Sequence, residues 1–72
     1  MVDQSIHRKF GDRVRDLRKA TKMSQEELAD HCGFARTYMS RIETGGANPS
    51  LDALHTLAVG LNVDLSELLK GV

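Results

Sequence analysis

Seventy-two residues, 40% hydrophobic and 28% charged, describe an ordinary globular chain of at most one domain. A chain of this size buries only about 60% of its unfolded surface, so its core must be economical. The net charge is zero, but nine Lys/Arg and six Asp/Glu fall in residues 1–41, whereas one lysine and four acids fall in 42–72. That polarity of +3 against −3 suits a molecule with one basic and one acidic face. No apolar run approaches the ~20 residues of a membrane span, and the opening MVDQSIHRKF lacks the apolar core of a secretion signal. A lone Cys32 cannot form an internal disulfide, so a reducing, cytoplasmic location is expected.

In chain order, Ile6, Phe10, Val14 and Leu17 form one stripe of a helix from about Ser5 to Thr21. Its other face carries Arg8, Asp12, Arg15, Asp16 and Lys19 and is expected to be solvated. Ser24-Gln25-Glu26-Glu27 has the form of a capping box that opens a second helix, which Gly33 ends. A third segment runs from about Arg36 to Glu43 and stops at Gly45-Gly46. Asn48-Pro49-Ser50 then turns the chain, and Ser50 can cap a fourth helix holding Leu51, Leu54, Leu57, Ala58 and Leu61. Asn62 suits a left-handed cap at its end, and Asp64 begins a short fifth helix with Leu65, Leu68 and Leu69. No strand alternation occurs, so the expected fold is all-α: five helices in one compact domain spanning 1–72.

The stretch Gln25 to Thr44, QEELADHCGFARTYMSRIET, carries the functional information. Ala29 lets two helix axes approach, and Gly33 permits positive φ in a tight turn. Leu28, Cys32, Phe34, Met39 and Ile42 fill the wedge between the two helices. This spacing resembles the helix-turn-helix of the Cro and phage-repressor (XRE) family over Leu17 to Leu69, with its lambda-repressor-like fold. Within that family, RTYMSRIETGGANPSL resembles the controller proteins of restriction–modification systems.

The resemblance implies a transcriptional regulator that binds double-stranded DNA as a homodimer on a near-palindromic operator. Arg36 to Thr44 would be the recognition helix, with Arg36, Thr37, Ser40 and Arg41 reading base edges. Gln25, Tyr38, Asn48 and Ser50 would touch the DNA backbone, and Tyr38 could equally pack inward. Arg18 and Glu43 correspond to the family's internal ion pair. Two departures stand out. Gly45-Gly46-Ala47 replaces a loop that often carries Lys or Arg, and Ala35 replaces the hydroxyl residue that often caps the recognition helix.

The apolar surplus of the last two helices points to dimerisation there, with Val63, Leu65, Leu68 and Leu69 partly at the interface and Leu54, Leu57, Ala58 and Leu61 mostly inside. His7, His31 and His55 show no metal-ligand spacing, and Cys32 reads as a small core residue. No nucleophile–base set or paired carboxylates are recognisable, so neither catalysis, a cofactor, a metal nor a small-molecule substrate is expected. A second reading remains open on the sequence: a protein-interaction module, antitoxin-like or coactivator-like, using the acidic C-terminal half. Salt dependence separates the two, because phosphate binding weakens steeply as salt rises.

Overall fold

The computed structural model of the chain describes the backbone of residues 4–72 and the side chains of residues 6–72. Five helices occupy this stretch: α1 (Gln4–Ala20), α2 (Gln25–Cys32), α3 (Arg36–Glu43), α4 (Leu51–Gly60) and α5 (Leu65–Leu68). Local chemistry sets their ends. The Ser24 hydroxyl accepts from the Glu27 amide at 3.0 Å, and the Glu27 carboxylate accepts from the Ser24 amide at 2.8 Å. These bonds hold the Glu27 carboxyl below its ordinary pKa. Ser50 caps α4 through the Ala53 amide, and Asp64 caps α5 through the Glu67 amide. Asn62 takes the expected left-handed conformation, with φ of 59°.

Helix α3 is the hub of the packing. It lies against α1 on one side and α2 on the other, while α4 packs on α2 and α5 closes back onto α1. Val14, Leu28, Met39, Ile42, Leu57 and Leu68 are the large side chains wholly removed from solvent. Each contributes about 1.5–3 kcal/mol by the usual transfer scale. Among the described residues, no helix is long and apolar enough to cross a membrane.

Gly11 makes the α1–α3 contact possible, and the apolar stripe of α1 does not reveal it. A methyl group on Gly11 would stand 2.5 Å from the Ile42 carbonyl oxygen and 2.7 Å from that of Glu43. Helix α1 therefore crosses the end of α3 with backbone against backbone. Phe10 and Val14 on the same stripe are buried, and Leu17 packs against the core. Ile6 departs from the expectation, being 50% exposed. It sits beyond the α3 crossing, at the rim of a shallow apolar hollow lined also by Phe10, Pro49, Leu54, Leu69 and Val72.

The C-terminal helices correct two further assignments. Leu57, Ala58 and Leu61 are buried as expected, but Leu54 is only half-buried. Leu68 is completely buried within the protomer, so it has no surface to offer a partner. The cause is the brevity of α5: a single turn has one inward direction, and Leu68 fills it. Val63 and Leu65 are half-buried and Leu69 is exposed. Among the described residues, Leu51 and Val59 on α4 are the most exposed large apolar ones, at 70% and 66%.

A test of the α1–α3 crossing follows from these distances. Gly11→Ala should destabilise the fold by more than the gain of about 0.5–1 kcal/mol that alanine normally brings to a helix interior. Urea unfolding measures it, and a stabilised Gly11→Ala protein would show that the helices can separate without penalty.

Candidate nucleic-acid interface

Helices α2 and α3 meet through the turn at Gly33, whose φ of 69° is in the left-handed region that favours glycine. The Gly33 and Phe34 amides close the end of α2 on the Asp30 and Ala29 carbonyls. Leu28 and Ala29 are buried at the seam, and Cys32 packs half-buried beside α4. Burial pushes the Cys32 thiol above its ordinary pKa, away from a reactive thiolate. Gly60 lets α4 approach there, since a methyl group on it would stand 2.7 Å from the Cys32 sulfur.

Helix α3 turns Met39, Ile42 and Glu43 inward and leaves Arg36, Thr37 and Arg41 exposed, with Ser40 half-buried. At 3.6 residues per turn these four lie on one side of the helix. Ala35 makes no side-chain cap, so α3 begins with its first amides uncapped by that residue. Tyr38 is half-buried and meets Phe34 edge-on, with ring centroids 5.0 Å apart and planes at 80°. That geometry is the inward packing alternative for the body of the ring.

Arg41 does not simply point outward. Its Nη2 donates to the Gly46 carbonyl at 3.0 Å, tying α3 to the loop that follows. In that loop Gly45 has φ of 83°, and a methyl group there would stand 3.1 Å from the Arg8 Cα. Ala47 is buried. The glycine-rich loop thus has a steric reason: it runs against α1, where a long basic residue would not fit at Gly45. Asn48 and Ser50 are exposed just beyond it. The Ser50 oxygen already accepts from the Ala53 amide at 3.1 Å.

Arg18 and Glu43 form the ion pair anticipated from the family resemblance. Arg18 Nε donates to Glu43 Oε2 at 2.7 Å and Nη2 to Oε1 at 2.9 Å, in a fork. Its Nη1 donates to the Met23 carbonyl at 3.0 Å, and the bonds to Glu43 raise the guanidinium pKa further. The two side chains are 12% and 3% exposed. Gln25 joins them, donating from Nε2 to Glu43 Oε1 at 3.3 Å, a bond the sequence reading did not anticipate.

The helix-turn-helix domain family model matches residues 9–70 of the chain. The control protein C.BamHI from Bacillus amyloliquefaciens is 42% identical over 69 residues, covering 94% of this chain and 85% of that protein. Among solved structures, the restriction-modification controller protein C.AhdI from Aeromonas hydrophila superposes with a TM-score of 0.87 at 41% identity. That match covers 89% of this chain and 97% of the controller. The master regulator for biofilm formation SinR, solved in complex with DNA, gives a TM-score of 0.79 at 35% identity, covering 85% of this chain and 98% of the chain in that structure.

The ion pair sets a clear expectation for stability. Arg18→Met should cost about 3–5 kcal/mol, because it strands a buried carboxylate without its partner. Removing both charges in Arg18→Met/Glu43→Met should recover much of that loss, since a buried pair replaced by apolar groups is often close to neutral. Urea unfolding of both single variants and the double variant measures the coupling, and additive losses would show that the two residues act independently.

Proposed function

Because this chain belongs to the helix-turn-helix domain family, we propose that it is a sequence-specific regulator of transcription of the restriction–modification controller kind, binding duplex DNA as a homodimer. It acts by binding, in the cytoplasm, with no catalytic step and no cofactor. The observation that carries this reading is the division of α3. Its inner face is locked to α1 and α2, while Arg36, Thr37 and Arg41 stand exposed on the other with Ser40 half-buried beside them. A rigid helix presenting arginine and hydroxyl groups suits base edges in a major groove.

In this reading Arg36 and Thr37 lie at the leading end of α3 and reach base edges, with Ser40 one turn behind. Arg41 either bridges the Gly46 loop or exchanges that carbonyl for a guanine edge. Gln25, Tyr38, Asn48 and Ser50 set the register on phosphates. Ser50 supports this only through its hydroxyl hydrogen, since its oxygen is occupied as a cap. Two copies supply the selectivity that one short helix lacks, placing recognition helices in successive major grooves about 34 Å apart. The partner surface lies around Val63, Leu65 and Leu69, beside the apolar hollow that Ile6 and Val72 border.

The base-reading assignment is tested with a duplex selected from a random-sequence pool and then varied one pair at a time. Arg36→Ala should lose about 1–3 kcal/mol at one base pair and leave the other positions as discriminating as before. A uniform loss across the panel would make Arg36 a phosphate contact. Wild-type binding should weaken steeply with salt; a flat response would favour the protein-interaction reading.

The dimer has its own measurement. Sedimentation at micromolar concentration should show a dimer for the wild-type chain and a folded monomer for Leu69→Asp, with weakened binding to the selected duplex. A monomeric wild type that still binds tightly, or a dimeric Leu69→Asp, would overturn the interface.

A further inference from the structure

We infer that Glu43 is a positioning residue for DNA binding: through the carboxylate that Arg18 neutralises, it holds the Gln25 carboxamide nitrogen-inward, so that Gln25 meets a phosphate as a donor. This rests on the DNA-binding reading above and names how one of its backbone contacts is prepared. Gln25 is the first residue of α2, and Glu43 is the last of α3. The bond of 3.3 Å from Gln25 Nε2 to Glu43 Oε1 therefore joins the two ends of the helix-turn-helix.

The chemistry of the partners decides which way the amide faces. A carboxylate only accepts hydrogen bonds, whereas a carboxamide offers two N–H donors on one side and an acceptor on the other. With the amide reversed, the Gln25 carbonyl oxygen would face the Glu43 carboxylate in a half-buried site, oxygen against oxygen. One N–H therefore goes to Glu43, and the second remains for another acceptor. A phosphate oxygen also only accepts, so this is the orientation a phosphate contact needs. Untethered, the amide could present either end to the phosphate, one of them repulsive.

Two further features fit a steering role. The Glu43 charge would repel an approaching phosphate if it stood alone, but the Arg18 fork at 2.7 and 2.9 Å cancels it. The Gln25 bond, at 3.3 Å, is longer than the usual 2.9–3.0 Å of an N–H···O bond. It contributes orientation more than stability. Its loss should consequently be read in DNA binding and hardly at all in the melting temperature.

The experiment is a double-mutant cycle in binding, with a mixed-sequence DNA duplex as the probe and a salt series for each protein. Gln25→Ala is made in the wild-type chain, in Glu43→Gln, and in Arg18→Met/Glu43→Met. The last background removes the charges together and keeps the test available if Glu43→Gln unfolds. In the wild-type chain Gln25→Ala should weaken binding about tenfold, the size of a hydrogen bond to a charged group. It should also reduce the salt slope by about one phosphate contact. In the Arg18→Met/Glu43→Met background Gln25→Ala should change little, because no acceptor orients the amide; in Glu43→Gln, whose carboxamide oxygen can still accept, the loss should be intermediate. An equal loss in all three backgrounds would overturn the proposal, and so would no loss in the wild-type chain. Failure of the unaltered chain to bind any duplex would instead overturn the DNA-binding reading itself.

Discussion

A carboxylate at the end of a helix and almost wholly removed from water is an unfavourable arrangement on two counts. Burial penalises the charge, and the C-terminal end of the helix dipole is itself negative. Glu43 occupies such a position on α3, and Arg18 makes it tolerable by delivering a forked pair of donors from α1. Because Arg18 also holds the Met23 carbonyl and Glu43 also receives Gln25, the end of α3 is tied at once to α1, to the α1–α2 turn and to the start of α2. Helix α3 is thus fixed in rotation as well as in place. Gly11 complements the network by letting α1 lie directly on the last carbonyls of α3, close enough for Arg18 to reach.

The inner and outer faces of α3 then carry separate tasks. Met39, Ile42 and Glu43 anchor it, so the exposed Arg36, Thr37 and Arg41 are left without a part in the core. Tyr38 straddles the division: its ring leans edge-on against Phe34 while its position borders the exposed face. Arg41 straddles it too, since its bond to Gly46 stiffens the loop that carries Asn48 and Ser50. A single bond of 3.0 Å, from Arg41 to the Gly46 carbonyl, links α3 to that loop, so a shift in the loop is felt at the helix.

Much of this architecture was legible because it rests on local chemistry. The capping box at Ser24, the Ser50 and Asp64 caps, Gly33 and Asn62 all announce themselves within a few residues, and each sits where expected. What depends on distant backbone was not legible. Gly11 carries no side chain and so leaves no trace in a periodic pattern, although it decides how closely α1 and α3 approach. Gln25 and Glu43 are 18 residues apart, and nothing in their spacing indicates a bond. The pair of Arg18 with Glu43, at 25 residues, was visible only through the family resemblance. Leu68 was misplaced because apolar periodicity in a helix of four residues cannot distinguish an inward from an outward leucine.

The charge polarity of the chain has a different consequence in three dimensions from the one its sequence suggests. Arg18 pairs with Glu43, and Arg13 pairs with Glu67 at 2.6 Å while also donating to the Glu67 carbonyl at 2.7 Å. Both pairs join a cation of the basic half to an acid of the acidic half. The excess of positive charge in residues 1–41 is therefore partly used inside the fold, where it clamps α1 to α3 and to α5. Arg15 is further engaged with Asp12 on its own helix. With a net charge of zero and three of its arginines engaged with carboxylates, the chain presents a weaker positive field than its sequence polarity suggests. In the DNA-binding reading proposed above, a few well-placed donors presented by two copies take the place of a broad field. On that proposal, the orientation of a single glutamine amide and the presence of a second copy matter more than they would in a strongly basic regulator.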